Sequence, residues 1–287
     1  SEPWPEPFSA LGAQLDTAAD HALAAFEGLR LAATDPGATL ELFKAMRYVP
    51  KALEALYPLT RILPPVNLFF LDAARRKDPD FHRRFLDLPR GQTGVIRFGD
   101  DPDARQTVWA YVPETYSPDV AHPLVMALHG GSGRGRYFLW SWLRDARSRG
   151  AILVAPTSLG QTWAIEGEDN DSPHLASILA FMREKWNIDP ARMMLTGMSD
   201  GGTFSYVSGL DPASPFTHLA PVSAAFHPML VHSADETRLK GLPVHIIHGI
   251  QDWMFPFTMA RDAERYLMAG GANVTYRELV DLSHTYP

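Results

Sequence analysis

The sequence predicts an α/β fold: a mostly parallel sheet entered through an antiparallel hairpin, flanked by helices and preceded by an added helical segment. Three observations predict it. Beyond about residue 93, short apolar runs alternate with stretches of helical spacing. Those runs are continuous rather than alternating, as in strands buried on both faces and joined by crossover helices. The first 88 residues carry helical spacing and no strand pattern. The expected division is a helical segment over 1–88 and an α/β domain over 89–287.

Taken in order, Pro3-Trp4-Pro5-Glu6-Pro7 is an extended lead-in. Ser9 would cap a helix running to about Ala33, with Leu11, Leu15, Ala18, Ala22, Phe26 and Leu29 on one inward face. Thr34-Asp35-Pro36-Gly37 is a turn. A second helix spans about Thr39 to Tyr57, with a break expected at Pro50, and a third about Val66 to Lys77. Asp78-Pro79 reads as N-cap and first-turn proline of a fourth, which would turn Phe81, Phe85 and Leu88 inward.

Residues 89–94 form a loop. Val95 to Phe98 and Thr107 to Val112 then read as a hairpin around Gly99-Asp100-Asp101-Pro102-Asp103. Strands are expected at 124–128, 151–155, 193–196, 219–223, 244–248 and 274–280. Helices are expected at 137–149, 173–186, 202–209 and 258–269.

Composition excludes several functions. The formal charge of −7, with no Lys/Arg cluster, argues against nucleic acid as a partner. The absence of cysteine removes disulfides, thiolate metal sites and thiol catalysis, and fits a reducing compartment. The apolar stretch from Tyr48 to Leu71 is broken by Lys51, Glu54, Arg61 and four prolines, so no membrane-spanning helix is expected. Among eleven histidines there is no His-Glu-x-x-His, and His245 and His248 are three apart on a strand, pointing to opposite faces. No metal is expected. Gly130-Gly131-Ser132-Gly133-Arg134-Gly135 lacks the Gly-Lys-Ser/Thr ending of a phosphate loop, so no nucleotide or other cofactor is expected.

In a parallel sheet, ligands bind beyond the carboxyl ends of the strands. Four of these strand ends carry chemistry. His129-Gly130-Gly131-Ser132-Gly133 follows the 124–128 strand, and Gly197-Met198-Ser199-Asp200-Gly201-Gly202 follows the 193–196 strand. His248-Gly249-Ile250-Gln251-Asp252 ends the next relevant strand, and Asp281-Leu282-Ser283-His284 the last. A serine hydroxyl needs an adjacent base, here His284, and that base needs a carboxylate to fix its tautomer, here Asp252. The oxyanion of a tetrahedral intermediate needs preorganised donors, for which the N–H groups of Gly131 and Asp200 are candidates. Singly, each residue has an ordinary reading: a capping serine, a turn aspartate, a tail histidine. Jointly they fall at strand ends in the order Ser, Asp, His. His129 is read as a brace for its loop.

Trp163, within the long polar loop 157–172, and Tyr137 are candidate substrate contacts. Arg134 and Arg136 are read as a solvated helix entry, and the Asp200 carboxylate as a first-turn acid.

These motifs, together with Asp189-Pro190-Ala191-Arg192 before the serine turn and Pro256 after Asp252, resemble serine esterases of the α/β-hydrolase superfamily. Within that superfamily they resemble the branch holding feruloyl esterases, polyhydroxybutyrate-depolymerase-like esterases and the phospholipase/carboxylesterase group. The resemblance covers about Thr93 to Pro287. It implies hydrolysis of a small or polymer-derived carboxylic ester through an acyl-enzyme, without a cofactor. A peptidase or thioesterase on the same residues, and a non-catalytic hydrolase-fold scaffold, are the alternatives.

Ser283 stands where Gly is common before the histidine. No helix follows His284 before Pro287, and residues 1–88 have no counterpart in the minimal fold. The expectation is that an N-terminal helix takes the place of the C-terminal one and that the rest forms a flank or partial lid.

Overall fold

The computed structural model describes residues 6, 8–34, 39–85 and 92–287. The lead-in at 1–5 and 7, the turn at 35–38 and the 86–91 stretch, with Leu88 and the expected boundary, lie outside the described residues. The chain divides into two compact units: Ser1–Leu86 with Leu143–Ser148, and Asp87–Trp142 with Arg149–Pro287.

The first unit is helical. Helices α1 (Ser9–Thr34) and α2 (Thr39–Leu56) pack against each other and are followed by a 3-10 turn at Tyr57–Arg61. The face of α1 matches the expected one in part: Ala18 is buried and Leu11, Leu15 and Ala22 are half-buried. Its buried residues are Gly12, Ala18 and Ala25, while Phe26 and Leu29 are exposed. Small side chains make this seam because the helices approach closely: a Cβ on Gly28 would stand 2.7 Å from Ala45 Cβ. Helix α2 runs unbroken through Pro50, so the expected break is absent. Helix α3 is only Pro64–Phe69; the third helix ends early because Phe70 and Leu71 turn fully inward and the Arg76 side chain donates to the Leu71 carbonyl. Helix α4 (Pro79–Arg83) starts as expected: Asp78 accepts from Phe81 N at 2.9 Å. Phe81 and Phe85 are buried.

The second unit is an eight-stranded sheet in the order β1-β2-β4-β3-β5-β6-β7-β8. Strands β1 (Gly94–Phe98) and β2 (Val108–Val112) form the hairpin, and β2 joins β4 (Ile152–Ala155) antiparallel. All other pairings, through β3 (His122–Leu128), β5 (Ile188–Met198), β6 (His218–Val222), β7 (Pro243–Gly249) and β8 (Asn273–Leu279), are parallel. Helices α5 (Gly135–Arg149), α6 (Asp171–Lys185), α7 (Asp200–Leu210) and α10 (Thr258–Ala269) follow β3, β4, β5 and β7 as predicted. Two short helices unread in the sequence, α8 (Met229–Ser233) and α9 (Glu236–Leu239), fill the β6–β7 connection. The central strands are apolar on both faces, with Met126, Leu128, Val154 and Leu195 without exposed surface. The fold is a mixed, mostly parallel sheet flanked by helices. Among the described residues no helix is long and apolar enough to cross a membrane.

Candidate active site

Ser199 stands at the turn between β5 and α7 with φ 57° and ψ −123°. Such a backbone costs a non-glycine residue on the order of 1–3 kcal/mol and persists only where its surroundings hold it. Here Ser199 N donates to Val222 O on β6 at 3.0 Å, and Ser199 O accepts from Thr203 N at 2.8 Å. The flanking glycines are required by close approach: a Cβ on Gly197 would collide with the Gly201 backbone, and one on Gly201 with the Leu128 carbonyl.

Two strand ends deliver the other groups. The turn after β7 is tied to the turn after β8: Ile250 N donates to Leu279 O at 2.8 Å and Gln251 N to Leu282 O at 3.0 Å. This cross-tie holds Asp252 and His284 together although they are far apart in sequence. His284 Nδ1 lies 3.0 and 2.9 Å from the two Asp252 carboxylate oxygens, and His284 Nε2 lies 3.0 Å from Ser199 Oγ. Asp252 Oδ1 also accepts from Met254 N at 2.9 Å and Phe255 N at 2.8 Å. Burial alone would raise the Asp252 carboxyl, but the Phe255 N–H, the His284 imidazole and the Met254 N–H outweigh it and hold it below the usual carboxylate range. Asp281 is exposed.

The Gly-rich loop lies against the serine turn. A Cβ on Gly130 would touch Ser199 Cβ at 3.5 Å, and one on Gly131 would stand 2.7 Å from Asp200 Oδ2. Asp200 N opens α7 and so has no carbonyl one turn back within the helix. Among the described residues neither the Gly131 nor the Asp200 N–H is taken by another acceptor. The Asp200 carboxylate, read as a first-turn acid, accepts from Thr162 Oγ1 at 2.5 Å.

His129 is buried behind this loop. Its Nδ1 donates to Gly130 O at 2.7 Å, and its Nε2 accepts from Ser158 N at 3.1 Å. Burial pushes the ring's pKa down to about 4, so it is neutral near pH 7. Trp163, expected as a substrate wall, is only 2% exposed and offers no surface to a substrate. Its ring packs against those of His129 and Phe204, and its Nε1 donates to His129 O at 2.7 Å. A large ring in a polar loop suggested a wall; an N–H with a buried carbonyl to satisfy makes it a brace. Tyr137 is half-buried on the first turn of α5 with the Arg136 guanidinium 5.7 Å from its ring. Arg134 and Arg136 are partly exposed, and both side chains engage Asp103 of the β1–β2 turn, with Arg136 also lying over Trp109.

Sequence reasoning missed two features. Trp253 is 69% exposed with its ring 6.1 Å from that of His284, and Phe255 packs edge-on to the same imidazole at 5.4 Å. His248 is fully buried against Asp252, with His248 Nε2 3.3 Å from Asp252 Oδ2. The signal for Trp253 was its place directly after the aspartate. Among the described residues no group of three or more His, Asp or Glu side chains is placed to hold a metal ion.

The chain is 30% identical over 156 residues to a bifunctional acetylxylan esterase/xylanase of Neocallimastix patriciarum, covering 52% of this chain and 22% of that protein. It is 28% identical over 152 residues to a probable feruloyl esterase C of Aspergillus terreus, covering 50% and 54%. It thus spans about half of one of these relatives and less of the other. A solved ferulic acid esterase superposes with a TM-score of 0.54 at 15% identity, over 68% of this chain and 92% of that one. No family model matches the sequence. The strand order, the serine turn between β5 and α7 and the superposition give the second unit the α/β-hydrolase fold, and its sequence is similar to those of acetylxylan and feruloyl esterases.

Proposed function

We propose that this chain hydrolyses carboxylic esters through an acyl-enzyme on Ser199. The observation that carries the reading is the 3.0 Å approach of His284 Nε2 to Ser199 Oγ, with Nδ1 of the same ring on both oxygens of Asp252. Ser199 Oγ attacks the ester carbonyl carbon as its proton passes to His284 Nε2. The carbonyl oxygen becomes an oxyanion, bound by the N–H groups of Gly131 and Asp200. Losing one such donor would cost roughly 3–4 kcal/mol of barrier. Collapse expels the alcohol, which takes its proton from His284. Water then attacks the acyl-enzyme by the same route, releasing the acid and restoring Ser199. The neutral, Nδ1-protonated His129 holds the Gly130 carbonyl inward and so keeps the loop's N–H groups turned to the site.

Because His284 delivers the proton to the leaving oxygen, the alcohol part lies on the side of Trp253 and Phe255. Tyr137 is the proposed contact on the other wall. The names of the relatives make acetylated xylan and feruloyl esters the first substrates to try. The helical segment 1–88 is proposed as a flank or partial lid.

The test is labelling with a fluorophosphonate probe, mapped by mass spectrometry, alongside ester turnover by Ser199→Ala. The expected result is one modification, on Ser199, and a loss of kcat on the order of 10⁴-fold or more with little change in melting temperature. Turnover retained by Ser199→Ala, or label on another residue, would overturn the reading.

A further inference from the structure

We propose that His248 is a positioning residue for Asp252, holding the carboxylate that orients His284; this rests on the esterase reading above. His248 stands at the end of β7 with no exposed surface, four residues before Asp252. Its Nε2 is 2.9 Å from Phe255 O and 3.3 Å from Asp252 Oδ2. Its Nδ1 is buried and has no hydrogen-bond partner among the described residues. The imidazole is therefore anchored by one edge alone. A carbonyl and a carboxylate both accept, so Nε2 carries a proton, shared between the two oxygens.

The neighbouring acid does not compete. Glu278 is the register partner of His248 on β8, but its carboxylate is held by Arg261 at 2.9 and 3.0 Å and by Tyr276 Oη at 3.0 Å.

Asp252 has two oxygens with different support. Oδ1 accepts from Met254 N and Phe255 N, both on its own turn. Oδ2 faces two imidazoles, His284 at 2.9 Å and His248 at 3.3 Å. Without His248, Oδ2 would be fixed only by the histidine it is meant to orient, and the Phe255 carbonyl would lose its donor too. The backbone would then hold the carboxylate only through Oδ1, and Oδ2 could shift with His284 on it. Misplacement of that kind costs rate without loosening substrate.

The test separates the donor from the bulk of the ring. The amide nitrogen of glutamine falls where Nε2 stands, whereas that of asparagine falls short, near Nδ1. His248→Gln should keep kcat within about threefold, whereas His248→Asn and His248→Leu should lower it by about 10- to 100-fold with KM changed less than about twofold. The rate of fluorophosphonate labelling of Ser199 should follow the same order. Equal kcat for the Gln and Asn variants would overturn the proposal, and that comparison stands even where the Leu variant fails to fold. A wild-type chain that is not labelled at Ser199 would instead overturn the esterase reading.

Discussion

Asp252 and Asp281 both precede His284 in the sequence, and only their surroundings distinguish them. Asp252 is buried, accepts two backbone N–H groups and meets His284 Nδ1 through both oxygens, while Asp281 is exposed. Asp252→Asn should therefore lower kcat on the order of 10³- to 10⁴-fold, because an amide presents an N–H where the imidazole tautomer needs an acceptor. Asp281→Asn should stay within about threefold, as a surface change away from the site. Steady-state kinetics on one soluble ester decides between them. Asp252 also carries an acid-stability signature. Its folded carboxyl titrates below the unfolded one, so the stability it contributes is present above the unfolded pKa and is lost as pH falls through the folded one. That Ser199, Asp252 and His284 would meet was legible in the sequence because each lies just beyond the carboxyl end of a strand. His248 was not, because a histidine at a strand end reads the same whether it faces a core carbonyl or a carboxylate.

The loop 157–172 shows how an element supports the site through hydrogen bonds to the residues that form it. Asp171 is buried at the start of α6 and accepts from Leu159 N at 2.9 Å and Ala164 N at 2.8 Å, which clasps both arms of the loop. Between those arms, Thr162 reaches Asp200, Trp163 reaches His129 O, and Gln161 O accepts from Ser132 N. The sequence marked this loop as functional from its length and polarity, but hydrogen bonds to distant carbonyls leave no periodicity to read. His129 is the titrating member of the assembly. Its ring, moved from the ordinary 6.5 to about 4 by burial, stays neutral in the folded chain while the unfolded chain binds a proton below about 6.5. The unfolded state thus binds more protons, and stability falls as pH drops from 7 towards 4. Denaturant titrations at pH 7 and 4.5 should show His129→Asn losing about 2–3 kcal/mol less than the wild type over that interval. Equal losses would mean that the ring is protonated in the folded state.

At the scale of the whole chain, the α/β part was the more legible because its central strands are apolar on both faces, as strands covered by helices on both sides must be. The helical part was less so. Its seam is built from Gly12, Ala18, Ala25 and Ala45, and small residues give weak hydrophobic periodicity even where they set the packing. What the helical unit does for the chain is clearest in the segment 143–148 that it contains. There Leu143, Ala146, Arg147 and Ser148 are all buried. Arg147 donates to Asn67 O at 3.0 Å and Asn67 Oδ1 at 2.7 Å, and its guanidinium lies 4.4 Å from the Phe85 ring. Ser148 Oγ accepts from Asp72 N at 2.8 Å, and Ser148 O from Arg75 Nε at 3.2 Å. A buried guanidinium that loses an acceptor is costly, so Asn67→Ala should destabilise the chain by about 1–3 kcal/mol in a denaturant titration. Removing residues 1–88 takes away all of these partners. The truncated chain should then melt well below the full one or aggregate, instead of behaving as a self-sufficient minimal hydrolase. A truncated chain with unchanged melting temperature would show that segment 143–148 needs none of these contacts.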